Sequence, residues 1–286
     1  MACYATRFPA GVCMRQFCLL ACAALTLSSC ATAGDANRKP DPVLAGIIAN
    51  SARTAAAIAR DPARRPLETL TWSGLKPGMT VVELWPGAGY WTEILGPYLR
   101  ARGRYYVANP INSGEFEDRA AAAWQKRVDQ QRVPLGIGAI TVTRLGPGNF
   151  EIAPAGTVDL VLTFRNLHNW MSDGIAAEVF AAGFRALKPG GILAIGEHRA
   201  RTDQPQDPKA VSGYVREDYT IELARAAGFE FAGSSELNAN PRDTKDWPDG
   251  VWTLPPTLMQ GDKDRARYMA IGEADNFLLK FRKPKR

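Results

Sequence analysis

Short apolar segments alternate with helix-length amphipathic segments from residue 80 onward, and this alternation limits the chain to few folds. The segment 158–163, for example, is apolar on both faces apart from Asp159 near its start. Strands of this kind belong to parallel sheets that helices cover on both faces. We therefore expect an α/β protein built on a mostly parallel, seven-stranded sheet.

The strands are expected at residues 80–84, 104–108, 139–143, 158–163, 192–196, 229–234 and 276–281. The helices are expected at residues 42–59, 90–100, 115–131, 173–187 and 217–227. No helix-length crossover pattern separates the last two strands, so the last strand is expected to run antiparallel. Ligands of such sheets bind at the carboxyl ends of the strands, so the residues that follow each strand are the first candidates for a site.

The beginning of the chain is typical of an exported protein. Arg15 precedes an apolar run over residues 17–27, and small residues follow the run. The run is shorter than the ~20 residues that a membrane span needs. It ends in Leu27-Ser28-Ser29-Cys30, which resembles the lipobox of bacterial lipoproteins, so we expect Cys30 to carry lipid and anchor the protein. An ordinary secretory leader with an incidental cysteine is the alternative.

These signals divide the chain into a signal peptide (1–29), a small polar tether (30–41) and one globular body (42–286). Ala31 follows the cysteine, which by resemblance to bacterial lipoproteins implies the periplasmic face of the outer membrane. All five cysteines lie in the first 30 residues, so the body has no thiolate for a disulfide or a metal. The net charge is +6 without a basic run interleaved with aromatic residues, and nucleic acid is not an expected partner.

A glycine-rich turn, Glu83-Leu84-Trp85-Pro86-Gly87-Ala88-Gly89, follows the first expected strand. Such a turn lets a ligand approach the backbone and meet free N–H groups at the start of a helix. The stretch from Asp159 to His168 then closes the fourth strand, and Leu187-Lys-Pro-Gly-Gly191 precedes the fifth. Over residues 66–236 these segments together resemble the class I S-adenosylmethionine (SAM)-dependent methyltransferases. The whole body resembles a group of predicted exported methyltransferases.

The resemblance implies a SAM site at the carboxyl edge of the sheet. In the family, the position of Asn109 holds an acid, which binds the ribose through two hydrogen bonds. The position of Trp85 holds a glycine. The acid that usually follows the third strand and faces the adenine is replaced by Leu145-Gly-Pro-Gly148. All three departures affect the adenosyl half of the site. The residues expected to bind the cofactor are Glu83, Trp85, Gly87, Gly89, Asn109 and Thr163.

Two further regions are expected to bind the substrate. Polar and aromatic residues follow the fourth strand, and the long loop 237–261 is rich in Asn, Asp, Pro and Trp. Long loops in small domains are usually functional or disordered, and the tryptophans argue for a lid over the pocket. A helix cap and core packing are the alternative roles for Asn169 and Trp170. The expected substrate-binding residues are Arg165, Asn166, Asn169, Trp170, Trp247 and Trp252.

His168 and His198 are the only histidines, and both follow strands whose ends share one edge of the sheet. A neutral imidazole there can take a proton from a substrate hydroxyl or ring carbon. Both histidines and Glu197 are therefore candidate catalytic residues. A structural role is the alternative for each histidine, and Glu197 is either a base or a partner of Arg199. The spacing fits no standard metal site, and no metal is expected.

The resemblance implies an enzyme that transfers a methyl group from SAM to a small or amphipathic acceptor. The expected export conflicts with this activity, because SAM is made in the cytoplasm. Trp85 and Asn109 favour a second hypothesis, an exported binding module that kept the fold and lost its grip on the adenosyl group. A third hypothesis is an envelope interaction protein without a ligand.

Overall fold

The structure, a computed structural model, describes residues 39, 41–111 and 115–285. The expected signal peptide, Cys30 and most of the tether lie outside these residues. The strands are β1 (Thr80–Leu84), β2 (Arg104–Pro110), β3 (Ile140–Leu145), β4 (Val158–Phe164), β5 (Leu187–His198), β6 (Glu230–Ser235) and β7 (Asn276–Arg282).

The seven strands form one sheet in the order β3-β2-β1-β4-β5-β7-β6. Strands β1 to β5 pair in parallel, and β7 is antiparallel to both β5 and β6. The expected fold class, a mostly parallel seven-stranded sheet with an antiparallel last strand, is therefore confirmed. Because β1 and β4 are neighbours at the centre, the segments that leave their carboxyl ends lie side by side.

Helices cover both faces of the sheet. Successive residues of a strand point to opposite faces, so Val81 and Val82 belong to different hydrophobic clusters. The helices are α1 (Pro42–Ile48), α2 (Ala55–Ile58), α3 (Asp61–Arg64), α4 (Pro66–Trp72), α5 (Thr92–Leu99), α6 (Glu115–Leu135), α7 (Leu167–Asp173), α8 (Ala176–Ala186), α9 (Glu217–Ala226) and α10 (Arg265–Ile271). The cluster around Val81 includes residues of α1, α4, α5 and α6, and the cluster around Val82 includes residues of α7, α8 and α9. Within the described part of the chain, no helix is long and apolar enough to cross a membrane.

The single helix expected over residues 42–59 is wrong, because the chain breaks it into α1 and α2. The side chain of Asn50 accepts a hydrogen bond from the backbone N–H of Ala52, at 2.9 Å, and holds a turn. Thr54 then caps α2 by accepting from the N–H of Ala57 at 3.3 Å. Short polar side chains offer the backbone such bonds in place of helical ones, which is how they end helices.

Two boundaries near the carboxyl edge also differ from expectation. The helix expected over 173–187 begins only at Ala176, because Gly174 has a φ of 74° and ends the preceding helix α7. A turn was expected at residues 188–191, but β5 already begins at Leu187. There the N–H of Gly190 donates to the carbonyl of Lys283, and the N–H of Lys283 donates to the carbonyl of Gly191.

The loop 237–261 has its own small hydrophobic cluster, to which Tyr214, Leu254 and Tyr268 belong. A 3₁₀ helix (Gly250–Thr253) lies within the loop. Buried Asp243 accepts hydrogen bonds from the hydroxyl of Tyr214 at 2.9 Å and from the indole of Trp247 at 2.7 Å. The loop is therefore packed against the body over part of its length.

Candidate functional site

A cavity of about 1160 Å³ lies at the carboxyl ends of β1, β4 and β5. Its walls come from the turn after β1, the segment after β4, and His198 at the end of β5. Residues 56–65 close one side, and parts of the loop 237–261 and of the segment 269–274 close another. A cavity of this size accommodates a cofactor or a small substrate.

The structure brings many of the expected site residues to this cavity and places others behind its wall. The expected residues that line it are Glu83, Trp85, Gly87, Arg165, Asn166, His168, Asn169, His198 and Trp252. The expected residues that do not are Gly89, Asn109, Thr163, Trp170, Glu197 and Trp247. Trp247 packs against Tyr268, with ring centroids 5.9 Å apart, and so belongs to the core of the loop.

Glu197 is fully buried at the end of β5 and holds the start of α7. Its Oε2 accepts a hydrogen bond from the N–H of Leu167 at 2.7 Å, and its Oε1 accepts from the N–H of His198 at 2.8 Å. Its Oε1 also lies 3.0 Å from Nδ1 of His168. Burial alone would raise the pKa of Glu197, but the two histidines and these hydrogen bonds lower it below its ordinary value. The residue is therefore a carboxylate at neutral pH.

This carboxylate selects the tautomer of the neutral His168 ring. Since a carboxylate can only accept hydrogen bonds, the proton of the neutral ring lies on Nδ1, and Nε2 is then an acceptor. His168 lines the cavity, so the arrangement presents an imidazole base to a bound molecule. Arg199, the partner considered for Glu197, instead forms ion pairs with Glu217, Glu236 and Asp275.

His198 lies beside His168, with the ring centroids 5.5 Å apart. Burial lowers the pKa of His198 to about 3, although Glu197 opposes the shift, so the ring is neutral at physiological pH. One potential ligand atom from each of His168, Glu197 and His198 lies within 4.8 Å of the others, close enough to share a metal ion. Both oxygens of Glu197 already accept hydrogen bonds, however, and the absence of a metal stays a prediction.

Glu83, at the end of β1, is a buried acid of the cavity wall. It accepts hydrogen bonds from the hydroxyls of Tyr105 and, at 3.0 Å, of Thr92. Burial raises the pKa of Glu83 to about 7, and these hydrogen bonds limit the rise. A ligand with a positive group beside Glu83 would favour its charged form.

Solved structures with the same architecture include methyltransferases. A SAM-dependent methyltransferase from Aquifex aeolicus has 18% sequence identity and a TM-score of 0.52; the match covers 85% of this chain and 99% of that one. This is the class I SAM-dependent methyltransferase fold. A phosphoethanolamine N-methyltransferase from Haemonchus contortus, solved with SAM, has 16% identity and a TM-score of 0.51, over 84% of this chain and 60% of that one.

The [4+2]-cyclase SpnF also matches, with 15% identity and a TM-score of 0.52, over 82% of this chain and 85% of that one. No family model matches the sequence, and no curated protein matches it. Likeness at these identities establishes the fold alone, and one fold hosts several activities. The activity must therefore be argued from the residues of the site.

The resemblance noted in the sequence assigns Glu83 and Gly87 to the methionine half of a SAM site. Glu83 and Gly87 both line the cavity. Gly87 has a φ of 55°, a conformation that costs a residue with a side chain about 1–2 kcal/mol. A Cβ added to Gly87 would meet no atom within 4 Å, so its backbone faces open space. These residues fit the amino-acid end of SAM.

The adenosyl half does not fit in the same way. The indole of Trp85 is buried; its Nε1 donates to the carbonyl of Leu145 at 3.2 Å, and its ring meets Trp170 edge-on at 6.0 Å. It thus fills the space between the end of β3 and α7, where the resemblance places the adenine. Asn109 is buried, its Oδ1 has no hydrogen-bond partner among the described residues, and it does not line the cavity.

One group of charged residues was not expected from the sequence. Glu273, just before β7, forms ion pairs with Arg60 at 2.7 Å, with Arg165 at 3.0 Å and with Arg64 at 3.5 Å. All four residues line the cavity. Only Arg165 was a candidate, because the partners lie up to 213 residues apart and no local pattern connects them.

Proposed function

We propose that the protein is an enzyme that transfers a methyl group from SAM to a small or amphipathic acceptor. The observation that carries the proposal is one shared cavity. Glu83 and Gly87, the counterparts of the family's methionine-binding residues, border the same space as His168. A donor site and a proton acceptor in one cavity are what methyl transfer to a hydroxyl or an acidic carbon requires.

In this proposal each residue has a defined task. Bound SAM supplies an electrophilic methyl group. Glu83 accepts hydrogen bonds from the ammonium group of its amino-acid end, and the backbone at Gly87 allows close approach. Nε2 of His168 receives the proton that the acceptor loses, and Glu197 stabilises the imidazolium that results. Glu197 does not line the cavity and is therefore a positioning residue.

A specific observation favours a second candidate, a binding module that kept the fold without methyl transfer. Trp85 fills the adenosyl side, and none of the described residues of β2 and β3 lines the cavity. In that case the cavity binds a different molecule, and the histidines contribute hydrogen bonds only.

Isothermal titration calorimetry of the mature protein with SAM separates the two candidates. The enzyme is supported if the native protein binds SAM and if His168→Gln loses methyl transfer while keeping its affinity for SAM. Absence of SAM binding at millimolar concentration, in a protein whose thermal unfolding shows that it is folded, supports the binding module.

Export and anchoring are a separate part of the proposal. The support is the apolar run that ends in Leu27-Ser28-Ser29-Cys30 at the start of the chain. Acyl chains on Cys30 would hold the body at the periplasmic face of the outer membrane. An amphipathic acceptor would then reach the cavity from the same membrane.

A further inference from the structure

The group around Glu273 carries more positive than negative charge. Arg60, Arg64 and Arg165 all form ion pairs with this one carboxylate, which can neutralise only one of the three guanidinium charges. Glu273 has 12% of its side chain exposed and Arg64 only 5%, so water screens this pair poorly, whereas Arg165 has 19% and Arg60 27% exposed. Unbalanced charge is costly at such a buried place, and an anion would relieve it.

The neighbouring acids supply only part of the missing charge. Asp61 forms an ion pair with Arg53, and Glu93 lies between Arg53 and Arg127. Burial lowers the pKa of Arg165, but Glu197 acts to raise it, so Glu197 offsets one further charge and leaves one positive charge in excess. Over the whole cavity wall, as far as the structure describes it, the acids are Glu83 and Glu273. The arginines of the wall are Arg60, Arg64, Arg65, Arg119, Arg127, Arg165 and Arg242.

The pKa values of the group agree with this imbalance. Burial lowers the pKa of Arg64 well below its ordinary value; Arg165 and Arg60 lower it further, and Glu273 opposes them. Burial would raise the pKa of Glu273, but the three arginines lower it to about 2. The carboxylate is thus charged at every physiological pH and still does not neutralise its partners.

Aromatic rings lie next to the arginines on the cavity wall. Trp91 stacks on Phe164 with ring centroids 4.2 Å apart, and the guanidinium of Arg64 lies 4.2 Å from the centroid of Tyr90. Trp252 lines the cavity near His168, with ring centroids 5.9 Å apart. Aromatic walls favour a flat apolar body, while arginines favour the planar oxygens of a carboxylate or the oxygens of a phosphate.

We propose that Arg60, Arg64 and Arg165 form an anion subsite, which binds the carboxylate or phosphate group of the molecule whose apolar part lies against these rings. Calling that molecule the methyl acceptor rests on the proposed function. The existence of the subsite does not, because a binding module would use it in the same way. The subsite assigns the acceptor to the class of apolar, preferably planar, organic anions.

Calorimetry with three ligands of similar shape tests the subsite: benzoate, phenyl phosphate and the neutral benzamide, all at constant ionic strength. Charge-assisted hydrogen bonds imply that at least one anion binds roughly ten- to hundred-fold more tightly than benzamide. The anion that binds more tightly identifies the group. Equal binding of all three ligands, or binding of none, would overturn the proposal.

Two variants with opposite expected effects distinguish the subsite from general damage to the fold. Arg165→Gln removes a positive charge and should weaken anion binding about ten-fold or more. Glu273→Gln removes the competing carboxylate and should strengthen it. Arg201→Gln, an exposed arginine paired with Asp203 away from the cavity, is the control and should leave it unchanged. Weakening by both cavity variants, or equal effects of Arg165→Gln and the control, would contradict the proposal.

A parallel titration with SAM keeps the two proposals apart. Binding of an anion by a protein that does not bind SAM leaves the subsite standing and removes the methyl transfer. Binding of SAM without binding of any anion excludes the subsite and leaves the methyl transfer standing. If Arg165→Gln weakens SAM and benzoate equally, the arginines hold the carboxylate of SAM, and the assignment to a separate molecule is wrong.

Discussion

Replacing Trp85 by glycine tests the account of the cofactor side most directly. Truncating a buried tryptophan costs about 3–5 kcal/mol, since its packing is lost and a cavity remains. Trp85 also has a φ of 45°, and a left-handed conformation costs a residue with a side chain about 1–2 kcal/mol, which glycine recovers. The net loss of unfolding free energy should be about 1–4 kcal/mol, or a fall in Tm of roughly 2–16 °C.

Trp85→Ala is the matched comparison, because it leaves nearly the same cavity but keeps a Cβ at the left-handed position. The alanine variant should therefore be less stable than the glycine variant by about 1 kcal/mol, the reverse of the usual order. Chemical denaturation of the two proteins measures the difference. An alanine variant as stable as the glycine variant would show that the backbone at Trp85 is not strained.

SAM affinity is the second readout. If the protein is an enzyme whose indole competes with the adenine, removing the indole should tighten SAM binding by roughly ten- to hundred-fold, the cost of moving a large side chain out of its contacts. Phe281→Ala, at a buried residue of the same cluster but on β7, controls for lost stability. Weaker SAM binding in Trp85→Gly would mean that the indole is a wall of the SAM site. If neither the native protein nor the variant binds SAM, the binding module is favoured.

Four further predictions follow from single residues. Burial raises the pKa of Glu83 to about 7, so the folded state favours the protonated acid and loses stability as pH rises from about 4.5 to 7. The loss is up to about 3 kcal/mol, and Glu83→Gln should remove it. Denaturation curves at pH 5 and pH 8 measure the difference. Asn109→Asp should tighten SAM binding about ten-fold if the protein is an enzyme, and unchanged affinity beside tight native binding would refute the assignment to the ribose. Glu197→Gln should slow methyl transfer by ~10²–10⁴ and alter its pH profile without changing SAM affinity, whereas a merely structural role would leave the pH profile unchanged. Cys30→Ser should release the protein from membranes or leave its precursor uncut, and normal cleavage with full membrane retention would exclude the anchor.

The central strands could be predicted from the sequence because their signals are local. Strand β1 lies at residues 80–84 as expected, between a turn at Gly78 and the glycine-rich turn that begins after Leu84. The valines of β1 point to opposite faces of the sheet, and both are buried only when helices cover both faces. The candidate histidines followed from the same logic, since the ends of β4 and β5 lie at one edge of the sheet.

Features that depend on partners distant in the sequence could not be predicted. The ion pair between Arg60 and Glu273 joins residues 213 positions apart, and neither position has a pattern of its own. The role of Glu197, a base or a partner of Arg199, is open in the sequence for the same reason, because its contact with His168 depends on where the strand ends lie. The break before Thr54 is local, but only the side-chain bonds accepted by Asn50 and Thr54 interrupt a helical pattern that is otherwise continuous.

Backbone strain marks the same edge of the sheet. Trp85 and Arg165 follow the neighbouring strands β1 and β4, and both have left-handed φ values, 45° and 61°. The amide Nδ2 of Asn166 lies 3.0 Å from the carbonyls of both Leu84 and Trp85, and so ties the two strand ends together. Strain of this kind persists only where the surroundings impose it, and it concentrates at functional sites. At this cavity, one strained residue, Trp85, places its indole on the adenosyl side. The other, Arg165, places its guanidinium in the proposed anion subsite. Trp85 and Arg165, the two strained residues, are thus the residues on which the account of the cofactor side and the proposed anion subsite depend.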